Sequence, residues 1–388
     1  MRSEPKPGLD TSIFTDVIEN GDAMARTRLA IQLAALMCAE DTSKADCAQV
    51  VPVVLKLSVD PVKEVRRTLA NGLVGLLTLH ADILFSIIAD EDDVALPFLA
   101  ATPALNHWHM LAVLRVGDVA RQQIVVLRSD LSRESLTYAV KSTPLEVCLR
   151  LFENHALHLD DRDYHTLYTR FGQAAEMVEL LLGRANLPLD IRILQAKRAS
   201  NRMQQLMAER GWMADNDANE LVADAEETAI LRILVEASNE ELARAIPFLV
   251  SKKMLTPSII LRAAAIGEMK MVQWSLAHLS GVSLARAHEL MFGRGFMGLK
   301  SLHSKSGLPQ SCYGLLVAAC DVMKDAKEEG LPLDPESFGR RLIEALMTRY
   351  ENMQSAERSR NLEFIGRFAE DRVRKIAKRL RADMVRAA

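Results

Sequence analysis

Apolar residues recur every three or four positions along nearly the whole chain, and the breaks between these periodic runs are short. That spacing lays an apolar stripe along one side of a helix, whereas a half-buried strand needs strict alternation. The stretch "PVVLKLSVDPVKEVRRTLANGLVGL", residues 52–76, shows the unit. A first helix is expected over 45–59, with Val50, Val51, Val54, Leu55 and Leu57 apolar. Pro52 lies inside it, which removes one backbone hydrogen bond and bends the helix. Asp60-Pro61 turns the chain. A second helix is expected from 62 to about 79, with Val65, Leu69, Leu73, Leu76 and Leu77 on one face. A lone helix pair cannot cover its own apolar surface, so the unit calls for copies or neighbours beside it.

Weak copies are present. "IIADEDDVALPFLA" places Val94 after an acidic turn as Val65 follows Asp60, and "KSTPLEVCLRLF" places Val147 likewise. Asp60-Pro61, Thr102-Pro103, Thr143-Pro144, Thr256-Pro257 and Asp334-Pro335 each precede a periodic run. Asp or Thr accepts from a free N–H of a first helical turn, and the proline beside it has a preset φ and no N–H to leave unpaired. The expected fold is all-α: a helical-repeat part over 10–160, a second helical part over 161–330 and a C-terminal extension over 334–388.

The composition agrees with helix over sheet. Apolar residues make up 49% of the 388, aromatic residues only 5%, and charged residues 26%. A formal net charge of −3 weighs against a chain that binds nucleic acid along its whole surface. Five cysteines form no CxxC pair and have apolar neighbours, as reduced core thiols of a cytoplasmic protein would. The start "MRSEPKPGLD" lacks the apolar run of a signal peptide, and no run is long enough to span a membrane.

Motifs that bear chemistry are few. "GRGFMG", 293–298, fits GxGxxG, but "SLARAHELM" before it reads as a helix, where a dinucleotide loop must leave a strand. Its plain reading is a helix–helix turn. Asp215, Asp217, Asn219 and Glu226 fall at positions 1, 3, 5 and 12 of an EF-hand loop, yet Glu220 stands where that loop needs glycine. "NHALHLDDRDYH" gathers His155, His158, Asp160, Asp161, Asp163 and His165. Histidines ending one helix and aspartates starting the next explain it without a metal. His107 and His109 of "HWH" diverge on a helix. GxSxG and HExxH are missing, so no catalytic residue, cofactor or metal is expected.

The C-terminal segment is the sharpest physical feature. Leu362, Ile365, Ala369, Val373, Ile376, Leu380 and Met384 follow steps of three or four and form one stripe. Residues 358–386 carry ten Lys/Arg and four Asp/Glu, a surplus of +6, and leave −9 on the rest of the chain. A helix that docks on the body, a dimerisation helix, an anionic-membrane helix and a nucleic-acid arm are the readings open here. Glu363, Glu370, Asp371 and Asp383 argue against the last two.

Residues Pro52, Asp60, Val65, Arg66 and Ala70 resemble a HEAT repeat: proline in the first helix, Asp at the turn, then Val-Arg and a small residue. The resemblance implies that Asp60 and Arg66 are structural, bonding neighbouring repeats. A longer resemblance covers roughly 50–325. "DEDDVALPFLA", "QQIVVLRSDLSRESLTYAVKSTPLEVCLRLFENHALHL", "LTPSIILRAAAIGEMKMVQWSLAHLSGVSLARAHELM" and "GFMGLKSLHSKSGLP" are similar to the bacterial family of domain of unknown function 2336, found mainly in alphaproteobacteria. It implies an all-helical protein with a HEAT-like N-terminal part and supplies no activity. The expected function is a non-enzymatic scaffold or adaptor of the bacterial cytoplasm that binds other proteins, with a homodimer open. A HEAT-like nucleic-acid enzyme of the alkylpurine DNA glycosylase type, using Trp108, Trp212, Trp274 and a carboxylate, is the alternative. A small-ligand sensor is a third reading.

Overall fold

The computed structural model describes residues 12–39, 44–210, 215–293, 296–330 and 334–348, with two isolated positions beyond. Among them every regular element is helical. The chain divides into two compact units, Met1–Asn186 and Leu187–Ala388.

The first unit contains α1 (Ser12–Asn20), α2 (Ala23–Cys38), α3 (Lys44–Ser58), α4 (Lys63–Leu73), α5 (Ala81–Ile88) and α6 (Asp92–Ala101). These are followed by α7 (His107–Val116), α8 (Val119–Val126), α9 (Arg133–Ser142), α10 (Leu145–Arg150), α11 (Asp161–Phe171) and α12 (Ala175–Leu182). Short polar residues start many of them. Asp22, Asp118 and Ser132 accept from the third N–H of α2, α8 and α9, and Asn106 and Asp160 form capping boxes with His109 and Asp163. Consecutive helices pack as pairs, and α2, α4, α6, α8, α10 and α12 pack in succession into one row. The facing row runs α1–α3–α5 and α7–α9–α11. Between α5 and α7 the rings of Phe85 and His109 meet edge-on, 5.4 Å between centroids.

Val65, Val94 and Val147 each sit at the third residue of an even-row helix and are buried. Gly72 lets α4 approach α2: a Cβ there would stand 2.5 Å from the Ala34 methyl. The same stretch ends the second helix early. It stops at Leu73, short of the expected 79, and Leu77 is 78% exposed. Two glycines within four residues, Gly72 and Gly75, weaken the helix, and Thr78 and His80 precede a new start.

The proline-marked starts divide. Thr256 and Asp334 do cap the helices that Pro257 and Pro335 open. Asp60 instead turns its carboxylate to the Val62 N–H and to an arginine, so α4 begins at Lys63. Asn106, not Thr102, caps α7. The first unit also reaches past 160, because α11 and α12 pack on α9 and α10.

The second unit opens with two long packed helices, α13 (Leu189–Arg210) and α14 (Asp215–Val235). After them come α15 (Asn239–Ser251), α16 (Pro257–Ala265), α17 (Met269–Ser280), α18 (Leu284–Phe292), α19 (Phe296–Ser306), α20 (Tyr313–Glu329) and α21 (Pro335–Thr348). Alanines and Leu315, Leu316, Cys320 and Val322 bury α20 against α16, α18, α19 and α21. Burial pushes the Cys320 thiol up to about 12, so it stays a protonated core side chain. The buried Arg262 ties α16 to α14 through Asp224 and, at 3.0 Å, Glu227. One sequence offset carries Pro97, Phe98, Leu99 and Gly117 onto Pro247, Phe248, Leu249 and Gly267. It also carries the starts of α7 and α8 onto those of α16 and α17, so α6–α8 and α15–α17 are copies of one three-helix pattern.

Candidate interaction groove

The turns of the first unit are tied together by charged side chains that reach from one helix pair to the next. Arg26 of α2 bonds the buried Asp60 at 2.6 Å. Arg66 of α4 bonds Asp90 in bidentate fashion, at 2.7 and 2.8 Å, and also donates to the Asp60 carbonyl. Arg121 of α8 donates to the carbonyls of Ile88 and Asp90 and pairs with Asp92 and Asp118. Arg133 takes Asp160 and Asp163, and Arg170 donates to the Val140 and Thr143 carbonyls. Burial works to raise the Asp90 carboxyl. Hydrogen bonds from Arg66 and from the Glu91 N–H overcome that and hold it below the ordinary carboxylate value. Asp60 and Arg66 thus join neighbouring pairs, and Pro52 sits on the exposed side of α3.

Where the facing row passes from α5 to α7, the surface opens. A groove of about 540 Å³ lies between their C-terminal ends, walled by Phe85, Ile88 and Ala89 on one side and Ala112, Val113 and Val116 on the other. Gly117, Asp118 and Arg121 close its end. Val116 is 87% exposed and Phe85 39%, while Trp108 on the same helix is 60% exposed. Lone exposed apolar residues are ordinary, but several lining one concavity mark a contact site. Arg121 has four internal acceptors, so the groove offers mainly apolar contact. A smaller recess of about 330 Å³ lies between α7 and α9, beside Leu111, Arg115 and Tyr138.

The other sequence candidates fall apart spatially or serve the fold. Asn219 and Glu226 lie within α14, where Glu226 pairs with Lys197. A continuous helix over 215–235 cannot wrap a calcium ion as an EF-hand loop does. Asp160 and Asp163 cap α11 and hold Arg133, while His155 and His158 lie in the turn before it. Gly293 ends α18 and Phe296 opens α19, a helix–helix junction. His109 serves the capping box of α7. Cys148, Cys312 and Cys320 are buried, but Cys38 is exposed and Cys47 half-buried. Trp108 lies on α7 and Trp274 on α17, bonded to Asn239, and Trp212 lies outside the described residues. So do Leu362, Ile365, Val373, Ile376 and Leu380.

Sequence reading alone does not find the groove. Phe85 and Val116 lie in two separate periodic runs, and only packing brings them to one concavity. The repeated "PFL" at Pro97 and Pro247 was the available signal for the two copies.

The family described as uncharacterised proteins conserved in bacteria (DUF2336) matches residues 94–356, and the chain belongs to it. No curated protein and no solved structure matches the chain.

Proposed function

We propose that this protein is a non-enzymatic helical-repeat scaffold, HEAT-like in its first unit, that binds other proteins. The carrying observation is the α5–α7 groove, an apolar concavity whose only charged lining residues, Asp118 and Arg121, are engaged with each other. Burying Val116 and Phe85 against a partner would each contribute about 1.5–3 kcal/mol. Such rows of paired helices present extended surfaces that mostly engage proteins. A place as an adaptor in bacterial regulation or signalling follows by analogy of fold alone. The cytoplasm is the compartment this reading assigns.

The test is a photo-crosslinking residue in place of Val116 in the full chain, expressed in its native bacterium. Protein adducts at this position, lost when Phe85 is also changed to Glu, are the expected result. No adduct, together with tight and salt-sensitive retention of DNA by the purified protein, would replace this reading with the nucleic-acid one.

A further inference from the structure

The second unit carries its own copy of the groove position, and there it is filled. The offset that carries α7 onto α16 carries Gly117 onto Gly267. The ring of Phe338 lies so close to Gly267 that a Cβ on the glycine would stand 3.1 Å from it. Phe338 opens the apolar stripe of α21, which buries Leu342, Ile343 and Leu346 behind it. An amphipathic helix with an apolar anchor near its start is what this position accepts in the second unit. Gly117 differs in backbone, with a φ of −71° against +85° at Gly267, and the atoms nearest an added Cβ there belong to Val113 and Arg121, with no ring from another helix among them.

The chain holds another segment of that pattern. Ile365, Ala369 and Val373 repeat the spacing of Phe338, Leu342 and Leu346. Gly366-Arg367 follows Ile365 as Gly339-Arg340 follows Phe338. The charges are complementary as well. Residues 358–386 carry ten basic and four acidic side chains, and residues 81–121 carry six acidic and two basic; Asp118 and Arg121 line the groove itself, while Asp90, Glu91 and Asp93 are shared with Lys63, Arg66 and Arg67 of the preceding helix pair. We propose that the C-terminal segment 358–386 of one copy occupies the α5–α7 groove of a second copy, so that the chain associates with itself through this contact. The proposal rests on reading the groove as a protein-binding surface, and it names the occupant. Ile365 enters the apolar groove beside Val116 and Phe85, as Phe338 packs beside Gly267, and the basic flank meets the net negative charge of residues 81–121.

The experiment uses the full chain. Light scattering at micromolar concentration is expected to give twice the 43.1 kDa chain mass. Val116→Lys and Ile365→Asp, each made alone, are expected to halve that mass with the helical circular dichroism unchanged. Val116 is exposed enough to change without disturbing the fold. A photo-crosslinker at Val116 is then activated in an equal mixture of isotope-labelled and unlabelled chains. Mixed-mass adducts between position 116 and residues 358–386 are expected. A monomeric chain, or adducts of single isotopic mass only, overturns the inference. If Val116 captures other proteins in the native cell but never residues 358–386, this inference falls and the scaffold reading stands. If it captures neither, both fall.

Discussion

At the scale of single residues, the bidentate contact of Arg66 with Asp90 links two helix pairs through side chains only 13% and 7% exposed. Removing the cation leaves a nearly buried carboxylate without its main partner, so Arg66→Ala should cost about 2–3 kcal/mol in urea unfolding. Adding Asp90→Ala should recover part of that loss, because the orphan charge goes with it. The same pair sets an acid sensitivity. Because the folded Asp90 carboxyl lies below its ordinary value of 3.8, the unfolded chain takes up that proton first as pH falls. The contribution is complete above about pH 4 and is lost on acidification through the folded value. The wild-type and Arg66→Ala stability curves should therefore lie apart at neutral pH and converge in strong acid. A constant separation would show that the pair adds packing and no charge linkage. Asp60 and Arg66 were legible in the sequence because a turn aspartate and a Val-Arg step are local features. Their partners, Arg26 and Asp90, were not, because a long-range pair has no local signature.

At the scale of elements, helix existence was readable and helix ends were less so. The apolar period identified α3 and α4, but Gly72 and Gly75 stopped α4 where the stripe alone would have continued it. α21 shows the other side of the problem. Its stripe was readable, but only packing reveals that Phe338 lies on the Gly267 backbone. Truncating this ring opens a cavity that the surrounding helices cannot close, so Phe338→Ala should cost about 3–5 kcal/mol. Gly267→Ala should cost about 1–2 kcal/mol for its φ of +85°, before any displacement of the ring. Hydrogen exchange read by mass spectrometry locates the damage. Peptides from α16, α20 and α21 should lose protection in both variants, while those from α2 to α8 keep theirs. Uniform loss along the chain would mean that the two units unfold as one.

At the scale of the whole molecule, composition and period were enough to give the all-α class. They set the division at 160, between α10 and α11, whereas the first unit runs to Asn186, because the packing of α11 and α12 on α9 and α10 has no local mark in the sequence. Charge asymmetry was fully legible and bears on the nucleic-acid reading. A body of −9 with a +6 segment disfavours DNA on average over the body and favours it at that segment. On this asymmetry, any DNA affinity is expected to come from a few cations near the C-terminus. Each phosphate neutralised adds about −0.9 to the slope of log K against log salt. Filter binding of the full chain to duplex DNA should accordingly show weak retention at low salt and none near physiological ionic strength. Converting Arg374, Lys375, Lys378 and Arg379 together to Glu should abolish the low-salt retention while leaving the mean helix content intact. Retention that survives this change, with a steep salt slope, would place a basic binding face on the body and shift the function toward a nucleic-acid enzyme.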